Sequence, residues 1–182
     1  MSSTNRGANR DQTDFYRTPA HAVESLFQAV KPPAPTLDPC AGDGGLIRAA
    51  VQLPGRMAHR FAGVEIDPLL VAAAREDGLP VVFGDGLERS WRGEHVLMNP
   101  PYNNALAWVQ KGVEAATCSA LVRLGFLATQ KRLAFWQNSP PTAVVILSRR
   151  PSFRSDGKTD SADYCWVHWG RYRDGQTALL WS

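Results

Sequence analysis

The chain has 182 residues, 44% hydrophobic and 20% charged, the balance of an ordinary globular domain and not of a disordered, collagen-like or disulfide-scaffold chain. No run approaches the ~18 consecutive apolar residues that a membrane span requires, and the amino-terminal Met-Ser-Ser-Thr-Asn-Arg segment carries no apolar core of a secretory signal. Three cysteines (Cys40, Cys118, Cys165) are an odd number without C-x-x-C spacing, which speaks against a disulfide framework or zinc site and points to a reducing cytoplasm. Net charge is +3, but residues 119–182 hold nine basic and four acidic side chains, a net +5, which leaves residues 1–118 at −2. A basic flank beside a mildly acidic remainder suits a domain with one rim facing phosphates, and equally a solvated Arg-rich surface.

The polar residues 1–13 are expected to form a flexible arm, and residues 14–182 a single domain. Thr18 is placed to cap a helix with Pro19 at its first position. Val23, Leu26, Phe27 and Val30 follow at helical spacing, and Lys31-Pro32-Pro33 stops the helix. Short apolar runs then alternate with helical stretches: strand 36–39, helix 45–53, strand 61–66, helix 68–76, strand 80–83, a short helical piece near Leu87, strand 95–98, helix 105–116, strand 120–127 and helix 131–137. The tail offers strand-like runs at 142–148, 164–169 and 177–181 with no helical pattern between them. Trp166 and Trp169, three apart in one such run, should point to opposite faces and serve packing. Strand–helix alternation predicts an α/β fold, a doubly wound, mostly parallel, seven-stranded sheet with an antiparallel C-terminal edge. In such sheets ligands sit outside the carboxyl ends of the strands.

The residues after each strand are informative. The first strand runs into Asp38-Pro39-Cys40-Ala41-Gly42-Asp43-Gly44-Gly45 and then a helix, a turn whose glycines let a ligand approach the backbone. It lacks the dinucleotide fingerprint G-x-G-x-x-G, since Ile47 stands where the third glycine would fall. Gly157-Lys158-Thr159 is not a phosphate loop either, because Ser152 stands where its first glycine belongs. After the second strand comes Glu65-Ile66-Asp67-Pro68, where a carboxylate can chelate the two hydroxyls of a ribose. After the third comes Gly84-Asp85-Gly86-Leu87, where an acid can accept from an exocyclic adenine amine. Any one of these acids could be a helix N-cap; three at successive strand ends point to one ligand. After the fourth strand comes Asn99-Pro100-Pro101-Tyr102.

That tetrapeptide, at that strand end, resembles the catalytic motif of amino-methylating, S-adenosylmethionine (SAM)-dependent methyltransferases, and the four motifs in order are similar to the class I, Rossmann-like methyltransferase fold. Asp14-Phe15-Tyr16-Arg17-Thr18-Pro19 ahead of the glycine turn resembles the T-P segment of adenine-N6 DNA methyltransferases, in their gamma motif order. Pro151-Ser152-Phe153 through Asp163-Tyr164-Cys165-Trp166 resembles the small adenine methyltransferases carried by bacteriophages and prophages, so the likeness runs from Asp14 to the C-terminus. It implies SAM as cofactor, held by Thr18, Asp38, Pro39, Ala41, Gly42, Gly44, Glu65, Ile66, Asp85, Gly86 and Asn99. It implies catalysis by Asn99, Pro100, Pro101 and Tyr102.

The chemistry accounts for those residue types. An exocyclic aromatic amine is a poor nucleophile, because its lone pair is delocalised into the ring. The Asn99 side-chain oxygen and the Pro100 carbonyl can both accept from the amine and favour a pyramidal nitrogen, while the prolines stiffen the loop. Tyr102 offers a face for stacking the base. The target must be flipped out or unpaired to reach such a pocket. Phe153 is the candidate second stacking face, or else an anchor of its own loop; Arg149, Arg150, Arg154 and Lys158 around it are candidate phosphate contacts. No metal is implied: His21, His59, His95 and His168 are scattered and receive no role. The expected partner is DNA with a flipped adenine, in the cytoplasm of a bacterial cell or phage-infected host, with no membrane. After Tyr102 only 80 residues remain, without room for a target-recognition domain. The expectation is relaxed or short-site specificity, or recognition by a homodimer or second subunit. RNA bases, cytosine N4 and the glutamine amide of a protein remain alternative acceptors. A non-catalytic SAM-fold partner subunit is the alternative of another class.

Overall fold

The structure is a computed structural model that describes residues 17–56, 58–153, 159–170 and 176–182, with only the backbone at His59. Among the described residues eight strands make one sheet in the order β3-β2-β1-β4-β5-β7-β6-β8. In chain order the elements are α1 (Ala20–Ala29), β1 (Thr36–Asp38), α2 (Gly45–Val51), β2 (Phe61–Glu65), α3 (Pro68–Glu76), β3 (Val81–Phe83), β4 (His95–Met98), α4 (Ala105–Gly112), β5 (Thr117–Arg123), α5 (Leu133–Asn138), β6 (Ala143–Ile146), β7 (Tyr164–Trp169) and β8 (Ala178–Trp181).

Strands β1 to β5 pair in parallel, as the alternation with helices predicts. The sheet exceeds the expected seven strands because residues 178–181 pair in parallel with β6 and add an outermost strand. Strand β7 is antiparallel to both its neighbours and lies between β5 and β6. Packed layers cover both faces of the sheet there, with Tyr164 and Trp166 in one core cluster and Cys165 and Val167 in the other, so the run 164–169 is buried without alternation.

Several boundaries differ from the sequence reading. Helix α1 begins at Ala20 with Pro19 in the N-cap position and no side-chain cap; Thr18 is buried instead. Strand β5 starts at Thr117 and ends at Arg123, where a 3-10 turn (Leu124–Phe126) takes over and Leu124 N–H donates to Asp163 O at 2.8 Å. Near Leu87 there is a turn, in which Leu87 N–H donates to the Asp85 side chain at 2.8 Å, and no helix. Helix α4 ends at Gly112.

Helices α1, α2 and α3 cover one face of the sheet with Leu26, Ile47, Val71, Leu97, Leu121 and Trp166, and α4 and α5 cover the other with Trp91, Val96, Trp108, Val109 and Phe135. Burying each large apolar side chain contributes about 1.5–3 kcal/mol. Trp166 donates its indole N–H to Ala22 O at 2.7 Å on the α1 face. Trp169 stacks on Trp136 on the opposite face, with centroids 6.1 Å apart and planes 5° from parallel. The two indoles thus take the opposite sides that strand alternation demands. Buried His168 meets Ser119 Oγ at 2.8 Å, and desolvation pushes its pKa down to about 4. Among the described residues no helix is long and apolar enough to cross a membrane.

Candidate functional site

The strand order reverses between β1 and β4, so the chain leaves those neighbours in opposite directions and opens a crevice beyond their carboxyl ends. A cleft of about 370 Å³ lies there. It is lined by the glycine turn after β1, the acidic segment after β2, Asp85 and Gly86 after β3, and Asn99 and Pro101 after β4. Arg17 and Thr18 reach it from the segment before α1.

Local folding explains how each group is held. Gly42 and Gly44 adopt φ of 55° and 78°, a region that residues with a Cβ rarely occupy, and this lets the chain reverse from β1 into α2. Gly86 answers a different demand: a Cβ there would stand 1.9 Å from the Pro39 carbonyl oxygen, so the loops after β1 and β3 pass backbone against backbone. The buried Trp91 indole donates to Gly86 O at 2.9 Å and holds that crossing.

The acids of the cleft differ in what they already do. Asp38 is 2% exposed and accepts from Cys40 N–H at 3.2 Å. Burial pushes its carboxyl up to about 7, against the Cys40 hydrogen bond, which acts the other way. Glu65 accepts from Gly42 N–H at 2.7 Å and from Asp67 N–H at 2.9 Å, which ties the end of β2 to the glycine turn. Asp67 caps α3 through Leu69 N–H at 2.8 Å. Asp85 orders its turn through Leu87 N–H. Ile66 is 62% exposed on the cleft wall, an apolar surface among carboxylates.

The Asn99-Pro100-Pro101-Tyr102 loop lies against the same cleft. The Cys40 thiol donates to Asn99 O at 3.6 Å, across the switch point. The Tyr102 hydroxyl donates to Asn99 Oδ1 at 2.8 Å, and burial holds that hydroxyl protonated well above its ordinary range. The Tyr102 ring stands edge-on to Phe153, with centroids 6.3 Å apart and planes at 69°, and 5.8 Å from the ring of Tyr164.

Thus Thr18, Asp38, Pro39, Ala41, Gly42, Glu65, Ile66, Asp85, Gly86 and Asn99 converge on one cleft. Gly44 does not line it; it sits at the N-cap of α2, where a Cβ would meet Leu79 Cδ1 at 2.4 Å. Of the loop, Asn99 and Pro101 line the cleft, while Pro100 is buried and Tyr102 packs beside Phe153. Phe153 is half-buried against the α1-face core, and its tilt to Tyr102 leaves no parallel slot between the two rings. Arg149 and Arg150 are exposed, and Arg150 pairs with Asp163 at 2.7 Å. Arg154 and Lys158 lie outside the described residues, as do the 1–13 arm and Asp14 to Tyr16.

No local sequence pattern announces the ion pairs around Asp43, which accepts from Gly45 N–H at 3.0 Å and pairs with both Arg17 and Arg48. The same holds for Cys40, Trp108 and Asn104 in the cleft wall. The basic residue before Thr18-Pro19 was the one signal for Arg17; its partner lies 26 residues away. A second groove of about 520 Å³ shares Arg17, Thr18 and Gly45 with the cleft and extends past Arg48 to Ser152 and Phe153. Among the described residues no cluster of His, Cys, Asp and Glu could hold a metal ion.

No protein-family model and no curated protein matches the sequence. Solved structures do match the fold. A type I restriction-modification methyltransferase subunit from Streptococcus thermophilus is similar at TM-score 0.65 and 14% identity, over 91% of this chain and 47% of that one. A protein from Pyrococcus horikoshii, assigned as an RNA methyltransferase, is similar at TM-score 0.67 and 18% identity, over 94% of this chain and 95% of that one. A Listeria monocytogenes protein assigned to the class I SAM-dependent methyltransferases gives TM-score 0.65 and 15% identity, over 95% of this chain and 68% of that one. The chain spans less than half of the restriction-modification subunit. Strand order, the β7 insertion and these likenesses together give the chain the fold of the class I SAM-dependent methyltransferases.

Proposed function

We propose that the chain transfers a methyl group from SAM to the exocyclic N6 amine of adenine in DNA. The observation that carries this reading is Asn99: it lines the acidic cleft and belongs to a rigid proline loop tied through Cys40 to the glycine turn. The residues fit the cofactor. Asp38 matches an ammonium group, Glu65 a ribose diol, Asp85 an adenine amine and Ile66 an apolar ring face, in a cleft within the usual size range for small-molecule sites. When bound, SAM would supply a sulfonium methyl group to the amine, leaving a neutral thioether, and the methylated amine would give up a proton to water.

This chain's residues do the positioning. Asn99 Oδ1 and the Pro100 carbonyl accept from the amine and hold its lone pair in line. Tyr102 supports the base, and Phe153 lines the adjoining groove beside it. The groove past Arg17, Arg48 and Ser152 offers a course for the flanking strand, and Arg149 and Arg150 contact its phosphates. Residues 14–182 act as one domain, with relaxed or short-site specificity or with recognition from a second subunit.

RNA is the second reading, favoured by the near-equal coverage of this chain and of the Pyrococcus horikoshii protein. The test is methyl transfer from labelled SAM to unmethylated duplex DNA and to RNA, with nucleoside mass spectrometry of the products. N6-methyladenine in the DNA digest supports the proposal, and sequencing then gives the site. Label in RNA alone moves the assignment to the second reading. Label in neither, with SAM bound, removes both for the isolated chain.

A further inference from the structure

Arg123 ends β5, the strand next to the one that carries the Asn99 loop. Its guanidinium carbon lies 5.1 Å from the centroid of the Tyr102 ring. The guanidinium is itself held at two points. Nε donates to the Tyr164 hydroxyl at 3.2 Å, and a terminal nitrogen lies 3.7 Å from Asp160 Oδ2. The Tyr164 hydroxyl in turn donates to that same Asp160 oxygen at 2.6 Å, and Asp160 N–H donates to Pro151 O at 3.0 Å. A continuous chain of contacts therefore runs from the base of the basic loop, through Asp160, Tyr164 and Arg123, to Tyr102 and on to Asn99 Oδ1.

We propose that Arg123 is a positioning residue for the Tyr102–Asn99 pair, which rests on the reading of Asn99 as the acceptor of the target amine. A guanidinium against a ring face is attracted by the ring quadrupole, and one pinned by a carboxylate and a phenol cannot follow the ring if it swings. The ring is then fixed, and with it the hydroxyl that donates to Asn99 Oδ1. In that contact the Asn99 amide turns its oxygen toward the hydroxyl. Arg123 thereby steadies the contact that orients the Asn99 amide. The competing role for an arginine 43% exposed by side chain at a basic rim is a phosphate contact.

The test compares wild type, Arg123→Ala, Arg123→Lys and Tyr164→Phe. Steady-state methylation of DNA and RNA and the salt dependence of binding to unmethylated duplex DNA are measured for each. Positioning predicts that Arg123→Ala loses about 10- to 100-fold in kcat with KM and the salt slope unchanged. Lysine does not rescue, since an ammonium cannot lie flat on the ring. Tyr164→Phe, which keeps the packing, falls between. A KM effect with a salt slope shallower by about 0.9, or full rescue by lysine, overturns the proposal in favour of a phosphate contact.

A second readout needs no turnover. The chain has four tyrosines, so 3-fluorotyrosine labelling gives a simple ¹⁹F spectrum in which Tyr102→Phe assigns the Tyr102 signal. That signal shifts in Arg123→Ala if the guanidinium holds the ring; an unmoved signal overturns the proposal. Absence of any wild-type methylation alongside a shifted signal instead counts against the functional reading.

Discussion

Cys40 and Asn99 are 59 positions apart in the chain, yet the thiol of one donates to the backbone carbonyl of the other across 3.6 Å. The contact joins the loops after β1 and β4, which face each other because the sheet order reverses between those two strands. A group on the glycine turn and an acceptor on the proline loop are thus held in one frame. Removal of the thiol in Cys40→Ala deletes one weak hydrogen bond, worth about 0.5–1.5 kcal/mol at most. The expected result is a fall in kcat of about two- to tenfold with SAM affinity nearly unchanged, and Cys40→Ser should recover most of it. Single-turnover methylation alongside calorimetric SAM titration checks this.

Asn99→Ala separates an enzyme from a scaffold. Loss of an acceptor aimed at the reacting amine should lower kcat by about 10²–10³-fold, by analogy with removal of one preorganised hydrogen-bonding group in acyl transfer. SAM and nucleic-acid binding should persist. A variant with wild-type turnover would take Asn99 out of the reaction.

Asp38 makes the site sensitive to pH. Burial raises its carboxyl from 3.8 to about 7, so the folded chain keeps that proton where the unfolded chain has lost it. Stability of the cofactor-free protein therefore falls as pH rises from about 4 to about 7 on account of this group. A ligand ammonium placed on Asp38 requires the carboxylate, so SAM binding below about pH 7 should release a proton and weaken as pH falls. Calorimetry in buffers of different ionisation enthalpy measures that proton. Asp38→Asn should bind more weakly at neutral pH and lose the pH dependence.

Gly86→Ala tests the loop crossing. The added methyl would stand 1.9 Å from the Pro39 carbonyl oxygen, where only a backbone shift can relieve it. A destabilisation of about 1–3 kcal/mol is expected, read as a lower Tm, together with weaker SAM binding because both loops line the cleft. An alanine variant with unchanged Tm would show that the two loops can separate freely.

The class of sheet and the convergence of the strand-end motifs are legible in the sequence, because both are local. Alternating apolar periods define the elements, and parallel strands must bring their carboxyl ends to one edge. Helix α3 and strands β4 and β7 fall on the residues that periodicity and proline punctuation mark. The carboxylates at successive strand ends share a cleft for the same reason. What depends on distance along the chain was decided only by tertiary structure. Thr18 reads locally as a cap, yet it is buried and Pro19 takes the cap position. Gly44 reads as a ligand contact, yet Leu79 fills the space beside it. The run 177–181 reads as a strand, yet its place as an outermost strand parallel to β6 is set by the free edge that β6 offers. The Cys40–Asn99 bond, the Asp43 ion pairs and the Asp160–Tyr164–Arg123 support of Tyr102 join residues from separate elements. Such pairings follow from which loops the folded sheet sets side by side, and a one-dimensional pattern holds no record of that.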